Sequence, residues 1–311
     1  MRKSKLPPSD SPCGDHLEAI MRSWILVPTD KSEALGSIAG SGADAIVLDL
    51  ARSGAPTRKA RARIEAANWL RSHREQVLAT RRFQRWARIG GMDTADWRAD
   101  LDAAMEGSPH GIVLSRCRGA DDIRQLASVL YEIEDRSGLA ANITRIMPEL
   151  GSTPASALAI GRLADELHPR VSALTWDAVG LAHSFGARRL RGPAGRWSDG
   201  FAHVRAQILL VAHARGIGAI EHPFRDARDD EVCTRIAEAA RADGFTGMFA
   251  IHPSQLPGIN AAFAPLESEM SEALKIVSAF STNPGATMLT VGDRRVDRSD
   301  LERARRLLGE D

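Results

Sequence analysis

The feature that most constrains this chain is a unit repeated about eight times: a short apolar run, a polar residue at its end, and a helix-like segment. The first two runs read RSWILVPT at 22–29 and GADAIVLDL at 42–50. Nearly continuous apolar runs are typical of parallel strands that are buried on both faces. Eight such units predict a (β/α)8 TIM barrel, in which the chemistry lies at the C-terminal ends of the strands.

The pattern places the eight predicted strands at residues 24–27, 45–50, 85–89, 111–114, 143–147, 171–176, 218–220 and 247–250. The predicted connections include a long charged helix from residue 58 to about 78, a helix that Asp93 or Thr94 caps, a loop over 148–152, and an arginine-rich loop over 186–199. After the eighth strand we expect two helices, a β-like piece at 288–291 and a basic helix at 299–308. We therefore predict a flexible arm (1–21), a barrel with the helices that follow it (22–282) and a C-terminal appendage (283–311), which make a barrel with a C-terminal helical extension.

Charge and cysteine content narrow the classes of function. The 41 basic and 40 acidic residues give a net charge of +1, which offers no electrostatic basis for binding nucleic acid. No apolar run approaches the ~18 residues of a membrane helix, and the polar N-terminus lacks the apolar core of a signal peptide. Cys13, Cys117 and Cys233 form no CxxC pair, so we expect neither a zinc site nor disulfides, and a reducing cytoplasm fits.

Charged residues gather at the predicted strand ends. Asp49 ends strand two, Arg88 ends strand three, Arg116 follows strand four, Glu149 follows strand five and Asp177 follows strand six. A stable barrel does not require so many charges on one concave rim, so we expect a functional site there. From the residues alone the reaction stays open.

Several of these strand ends also carry collinear motifs. The motifs are RSWILVPT at 22–29, GADAIVLDL at 42–50, Pro56, Lys59, Ala62 and Arg63 as P-x-x-K-x-x-A-R, ARIG at 87–90 with Thr94, GMFAIHPSQ at 247–255, and Gly292, Val296, Asp297 and Ala304. In this order, over about residues 22–308, they resemble the HpcH/HpaI aldolase and citrate lyase β-subunit family, in its citrate lyase β-like and malyl-CoA-lyase-like branch. The resemblance implies a TIM barrel that makes or breaks a carbon–carbon bond in a 3-hydroxyacyl-CoA or a 2-keto acid.

The resemblance also implies a cofactor and an assembly. The family binds a divalent metal, usually Mg²⁺, which polarises the carbonyl and stabilises an enolate as a Lewis acid. Coenzyme A would enter as part of the substrate. The protein is expected to be a homo-oligomer, a trimer or hexamer, and the helices beyond residue 255 are the expected contact region.

Residue by residue, the resemblance makes Arg88 the substrate-binding and catalytic arginine and Glu149 a metal ligand. A guanidinium can bind a carboxylate with two hydrogen bonds. The alternatives are a barrel-edge salt bridge for Arg88 and a helix N-terminal carboxylate for Glu149. The family's second metal ligand, an aspartate, falls on Gly180, so Asp177, three residues earlier, is the candidate replacement. The alternative for Asp177 is a helix cap or a hydrogen bond to Ser172 or Thr175.

A second departure follows strand two. Asp49 is retained as a supporting acid, but the next two family acids are Ala51 and Arg52. The Arg52 cation would repel a divalent ion or bind an anionic group of the substrate.

Four further positions complete the expected site. Lys31 and Arg116 are candidate cations for an anionic substrate, and His252 is expected to support the eighth loop through hydrogen bonds. Asp297 matches an aspartate that acts as an acid in a neighbouring subunit's site, with a turn residue as the alternative. Two functions follow: a metal-dependent carbon–carbon lyase or aldolase, or a diverged pseudoenzyme that binds anions or acyl-CoA after losing the Mg²⁺ site.

Overall fold

A computed structural model describes residues 21–30, 32–52, 55–76, 82–192, 195–226 and 229–309. Lys31 lies outside the described residues, as do Cys13 and the predicted N-terminal arm up to residue 20. The chain divides into two compact units, one from Met21 to Ala264 and one that begins at Pro265.

The first unit is a closed barrel of eight parallel strands in sequence order. The strands are β1 Ser23–Pro28, β2 Ala45–Asp49, β3 Gln84–Ile89, β4 Gly111–Leu114, β5 Arg145–Leu150, β6 Ala173–Trp176, β7 Gly218–Glu221 and β8 Gly247–Ala250. β8 returns to β1, with Phe249 beside Trp24. The predicted TIM-type barrel is confirmed, and the bounds of β4 and β8 are those expected from the sequence.

Helices surround the strands. They are α1 Ser32–Ser37, α2 Pro56–Ser72, α3 Trp97–Met105, α4 Ala120–Arg136, α5 Pro154–Ala159, α6 Leu163–Glu166, α7 Ala178–Phe185, α8 Asp199–Ala214, α9 Asp230–Asp243 and α10 Leu256–Ala262. Within the described parts of the chain, no helix combines the length and apolar character needed to cross a membrane.

Alternation along the strands sorts the core into two layers. Residues such as Ile46, Leu48 and Leu114 pack outward against the helices, whereas Val47, Trp86 and their equivalents fill the barrel interior. Large rings dominate the interior: Trp24 meets Trp86 edge-on, with ring centres 5.1 Å apart. A Cβ at Gly111 would lie 2.2 Å from the Trp86 ring, so the neighbouring strand must carry glycine there.

The same alternation carries three charges into the upper end of the barrel. Asp49 lies two residues beyond Val47, Arg88 two beyond Trp86, and Glu149 two beyond Met147. Because side chains on a strand return to the same face every second residue, these three side chains point inward above the aromatic layer.

Some predicted boundaries were wrong. Residues 148–150 were expected in a loop, but they extend β5, because Glu149 and Leu150 pair with Thr175 and Trp176 of β6. α2 ends at Ser72 rather than near residue 78, and the last turn is closed at the Trp69 carbonyl, which accepts from the His73 backbone N–H and, at 2.9 Å, from His73 Nδ1. α3 begins at Trp97, later than the expected Asp93 or Thr94 cap.

The second unit comprises α11 Glu267–Thr282, the antiparallel strands β9 Met288–Val291 and β10 Arg294–Asp297, and α12 Arg298–Leu308. The sequence placed the division after residue 282, but α11 belongs to this unit. Ile276 and Phe280 of α11 form a separate apolar cluster with Val296 and Leu301. β10 was not predicted, because its exposed Arg294–Arg295 pair lacks the apolar character of a buried strand.

A buried ion pair stabilises the barrel end opposite the candidate site. Arg170 binds Glu134 through two 2.7 Å hydrogen bonds, and both side chains are almost fully buried. Glu134 also accepts hydrogen bonds from the backbone N–H groups of Asn142 and Thr144. These bonds lower the pKa of Glu134 although burial alone would raise it.

We expect Arg170→Met to lower the free energy of unfolding by about 3–5 kcal/mol, because it leaves a buried carboxylate without its cation. Urea denaturation would measure the loss. The double variant Arg170→Met/Glu134→Gln removes that charge and should recover part of it. A double variant less stable than Arg170→Met would show that charge burial is not the cause.

Candidate functional site

Arg88 is held between two carboxylates at the C-terminal ends of β2, β3 and β5. Its Nη1 donates to Asp49 Oδ1 at 2.9 Å and its Nη2 donates to Glu149 Oε2 at 2.7 Å. Asp49 is fixed in turn, since it is the register partner of Arg88 and its Oδ1 also accepts from the Ala51 N–H. The three side chains are only 9–17% exposed, so they lie in a largely desolvated setting that remains accessible.

The environment raises the pKa values of two of these groups, Arg88 and Glu149. Burial alone would lower the pKa of Arg88, but Glu149 and Asp49 raise it well above its ordinary value, so the guanidinium stays charged. Burial raises the pKa of Glu149, and the charges of Asp177 and Asp49 raise it further, against the opposing effect of Arg88. A carboxylate of this kind gains from a cationic partner.

Asp177, at the end of β6, caps α7. Its Oδ1 accepts a hydrogen bond of 2.9 Å from the Gly180 N–H. A Cβ built on Gly180 would lie 2.2 Å from Asp177 Oδ2. The Asp177 carboxylate therefore occupies the space in which a side chain at position 180 would begin, and the glycine makes room for it.

His222 also lies at the strand ends and was not among the predicted site residues. It follows β7, two residues after the inward-facing Ile220, and is 6% exposed. Its Nδ1 is buried and has no hydrogen-bond partner among the described residues. Burial lowers the pKa of His222 to about 4, with Arg225 and Arg191 acting in the same direction and Asp177 in the opposite one. The two-residue alternation of β7, which puts His222 on the same face as Ile220, was the sequence signal that could have identified His222.

The other predicted site residues that the structure describes have exposed side chains. Arg116 is exposed and donates to Asp93 at 2.6 Å, and Arg52 is exposed. His252 accepts from the Ser254 N–H at 3.2 Å and so caps the turn after β8. Asp297 belongs to the C-terminal unit.

The P-x-x-K-x-x-A-R motif has a structural explanation. Lys59 and Arg63 on α2 both pair with Asp100 on α3, at 3.1 and 2.8 Å. Because Asp100 is fully buried, its charge needs these cations. The motif therefore joins two helices of the barrel.

Two carboxylates at these strand ends suit a hard cation. In the described part of the chain, no group of three or more His, Cys, Asp or Glu side chains is arranged to hold a metal ion. Mg²⁺, however, is commonly held by one or two carboxylates together with water and substrate oxygens. Glu149 and Asp177 each use one carboxylate oxygen in the bonds above, and the charge of Asp177 acts on Glu149. This donor set fits Mg²⁺.

The sequence profile of the HpcH/HpaI aldolase/citrate lyase family matches residues 22–253. The chain belongs to this family. The match spans the barrel and reaches the His252–Pro253 segment after β8, so the strand ends described above lie within it.

Relatives in this family act on thioesters of coenzyme A. The chain is 29% identical over 293 residues to a (3S)-malyl-CoA thioesterase of Cereibacter sphaeroides, covering 92% of this chain and 93% of that one. It is 28% identical over 305 residues to an L-malyl-CoA/β-methylmalyl-CoA lyase of the same species, covering 91% and 92%.

A solved structure shares the architecture. It is the CitE protein of Mycobacterium tuberculosis in complex with magnesium, acetoacetate and coenzyme A, with a TM-score of 0.68 and 25% identity over 94% of this chain and 98% of that one. A second solved structure is a citrate lyase β subunit of the same organism complexed with oxaloacetate and magnesium, with a TM-score of 0.63 and 27% identity over 80% of this chain and 99% of that one.

The lowered pKa of His222 predicts that the folded protein becomes less stable in acid. Its pKa is about 4 in the folded chain and about 6.5 when unfolded. The neutral form is therefore fully compatible with folding above pH 6.5, and stability is lost as the pH falls from 6.5 towards 4. At pH 5 the loss from this residue is roughly 2 kcal/mol.

Urea denaturation of the wild type and of His222→Gln at pH 7.5 and pH 5 would isolate this effect. The stability difference between the two pH values should be smaller in His222→Gln. Equal pH dependence in the two proteins would mean that His222 is not buried in its neutral form.

Proposed function

We propose that the protein is a carbon–carbon lyase or aldolase that acts on a 3-hydroxyacyl-CoA or a 2-keto acid. The observation that carries the proposal is the cluster of Asp49, Arg88 and Glu149 at the upper end of the barrel, with Asp177 on the next strand end. It combines a fixed cation with buried carboxylates where TIM-barrel enzymes hold their reacting groups. Membership of the family and its CoA-dependent relatives support the same reaction class.

Arg88 would bind the anionic part of the substrate. Its two pairs hold the guanidinium plane in place before a substrate arrives, so little reorganisation is needed on binding. Its raised pKa keeps the positive charge at any working pH. A cation fixed in this way can bind a carboxylate and stabilise negative charge that develops on a carbonyl oxygen.

Glu149 and Asp177 would hold a Mg²⁺ ion. Bound Mg²⁺ would supply Lewis-acid polarisation of the substrate carbonyl. Glu149 is desolvated and repelled by two neighbouring carboxylates, which raises its pKa, so a second cation besides Arg88 would stabilise its ionised form. This effect on Glu149 is the property of the chain's own residues that supports a bound metal.

Asp177 would replace the family aspartate at position 180. The two positions are three residues apart on the first turn of α7, and such positions lie on one helix face. The carboxylate of Asp177 already lies 2.2 Å from where the Cβ of residue 180 would be. We infer that the acid moved by one turn while its charge stayed near Glu149.

A metal-free, anion-binding pseudoenzyme is the second candidate. Arg52 replaces a family acid, and Arg88 already occupies one oxygen of Glu149. These two cations would compensate the carboxylates without a metal. Lys31, Arg52 and Arg116 would then serve as contacts for an anionic or acyl-CoA ligand, as they could in the lyase.

Asp297 and the oligomer remain part of the proposal. Asp297 accepts hydrogen bonds from the N–H and hydroxyl of Ser299 at 2.8 and 2.7 Å and from the Asp300 N–H at 3.1 Å. The Ser299 hydroxyl and these N–H groups lower its pKa. In the isolated chain Asp297 therefore acts as a cap, and an acid role would require a neighbouring subunit of a trimer or hexamer to raise that pKa.

Calorimetric titration of Mg²⁺ or Mn²⁺, with oxaloacetate, pyruvate and glyoxylate added in turn, tests the metal site. We expect binding that strengthens with one keto acid. Glu149→Gln should weaken it by more than the roughly 10–100-fold that is typical for an outer-shell partner, because a coordinating charge is lost. Asp121→Asn, at an exposed carboxylate on α4, is the control and should bind normally.

The role of Asp177 has its own test. Asp177→Gly should lose metal affinity, and Asp177→Gly/Gly180→Asp should regain it by restoring the family arrangement. Wild-type protein that binds no divalent ion under any of these conditions would contradict the lyase proposal and support the metal-free alternative. Metal binding with no effect of Asp177→Gly would contradict only the assignment of Asp177.

Asp297→Asn distinguishes a helix-capping role from a role as a general acid. Asparagine also caps helices, but its side chain cannot act as an acid. If Asp297 acts in a neighbouring site, we expect kcat to fall by about 100-fold with an unchanged melting temperature. Unchanged kcat would leave Asp297 as a cap only. Asp293→Asn, four residues earlier and exposed, is the matched control.

A further inference from the structure

A cavity lies outside the barrel wall, where α8 and α9 meet the end of β7 and the loop after α7. Its volume is about 820 Å³, within the usual range of small-molecule sites. We call it the outer pocket; its defining residues are Arg191, Trp197, Arg205, Glu221, Phe224 and Arg235. Glu221 faces away from the barrel interior, so the outer pocket is distinct from the cluster around Arg88.

The outer pocket carries excess positive charge. Four arginines line it, against two carboxylates: Arg191, Arg196, Arg205, Arg235, Glu221 and Asp243. Arg205 alone binds both carboxylates, at 2.5 Å to Glu221 and 2.7 Å to Asp243. Among the described residues, no ion pair joins Arg191, Arg196 or Arg235 to either lining carboxylate, although the charge of Glu221 acts on Arg191. Arg235 lies 4.0 Å from Glu231, which is four residues earlier on the same helix and does not line the cavity.

Arg191 is built into the wall rather than left in solvent. Its guanidinium lies 3.8 Å from the centre of the Trp197 ring, and its Nη1 donates to the Gly195 carbonyl at 2.8 Å. Burial lowers the pKa of Arg191, and Arg205 lowers it further against the effect of Glu221. Stacking fixes the guanidinium plane, and one of its five N–H donors is used by the described residues.

The rest of the lining is apolar. Phe224, Val232, Ile236 and Ala239 line the cavity beside the arginines. A purely inorganic anion would leave this surface against water, whereas an organic group would cover it. The lining thus combines a site for a multiply charged anion with a site for the body that carries it.

We propose that the outer pocket binds an organic phosphate of mononucleotide size. Three arginines that form no ion pair with the lining carboxylates match the charge and planar hydrogen bonding of phosphate groups, and the apolar wall and volume match a nucleoside. The ligand can be a free nucleotide or the nucleotide end of a coenzyme, which share this chemistry. Glu221 also accepts from Trp176 Nε1 at 2.8 Å, so the outer pocket shares a wall with the strand that leads to Asp177.

Calorimetric titration of the full chain with ADP, inorganic pyrophosphate and coenzyme A, in the absence of divalent metal, tests the proposal. ADP should bind with a sub-millimolar Kd and more tightly than pyrophosphate. Arg191→Gln and Arg235→Gln should each weaken ADP binding by about tenfold or more, the loss expected for one charge-assisted hydrogen bond. Arg189→Gln is the matched control, because Arg189 is exposed in the same loop and does not line the cavity.

The remaining outcomes separate the sources of the ligand and the competing sites. Competition between coenzyme A and ADP would identify the coenzyme's nucleotide end, and binding of ADP alone would identify a free nucleotide. The proposal is overturned if wild-type protein does not bind ADP at 1 mM, if pyrophosphate binds as tightly as ADP, or if both variants match Arg189→Gln. Loss of ADP binding in Arg88→Gln alone would place the ligand at the barrel mouth and overturn it too. Thermal unfolding of every variant confirms that the fold is kept.

Discussion

The pairing of Arg88 with Asp49 and Glu149 is the interaction on which the candidate site depends. A barrel interior is normally filled by apolar side chains, and here Trp24, Trp86 and Phe249 fill its lower part. Charged side chains in the layer above are stable only when they neutralise one another, because each is largely removed from water. The 2.7 and 2.9 Å bonds meet that condition for the arginine.

The condition is not fully met for the acids. One guanidinium faces Asp49 and Glu149, and the pKa of Glu149 is raised by burial first and then by the charges of Asp177 and Asp49. An environment that holds more carboxylate charge than cation is typical of sites that receive a cation with the ligand. The excess of carboxylate charge over positive charge is smaller than in the family pattern, because Ala51 and Arg52 replace two acids. Whether the remaining carboxylate charge binds a metal distinguishes the lyase from the metal-free alternative.

Alternation and polar strand ends were sufficient to predict the barrel and the residues at its upper end. Asp49, Arg88 and Glu149 each lie two residues after an inward-facing core residue. This spacing is the side-chain period of a strand, and it can be read directly from the sequence. Their partners were not predictable, because a hydrogen bond between Arg88 and residues 39 and 61 positions away depends on barrel closure. The position of Glu149 in β5 also depended on tertiary pairing with Thr175, which overrode the loop signal of Pro148.

Position 180 shows why a lost motif residue need not mean a lost group. Read along the chain, glycine in place of aspartate removes a ligand. In three dimensions the first turn of α7 places residues 177 and 180 side by side, and the Asp177 carboxylate fills the volume that the glycine leaves open. A side chain at 180 would collide with Asp177, and glycine at both positions would leave no acid on that turn. Under the proposed function the two positions therefore act as one structural unit, in which Asp177 would supply the charge that the family motif places at position 180.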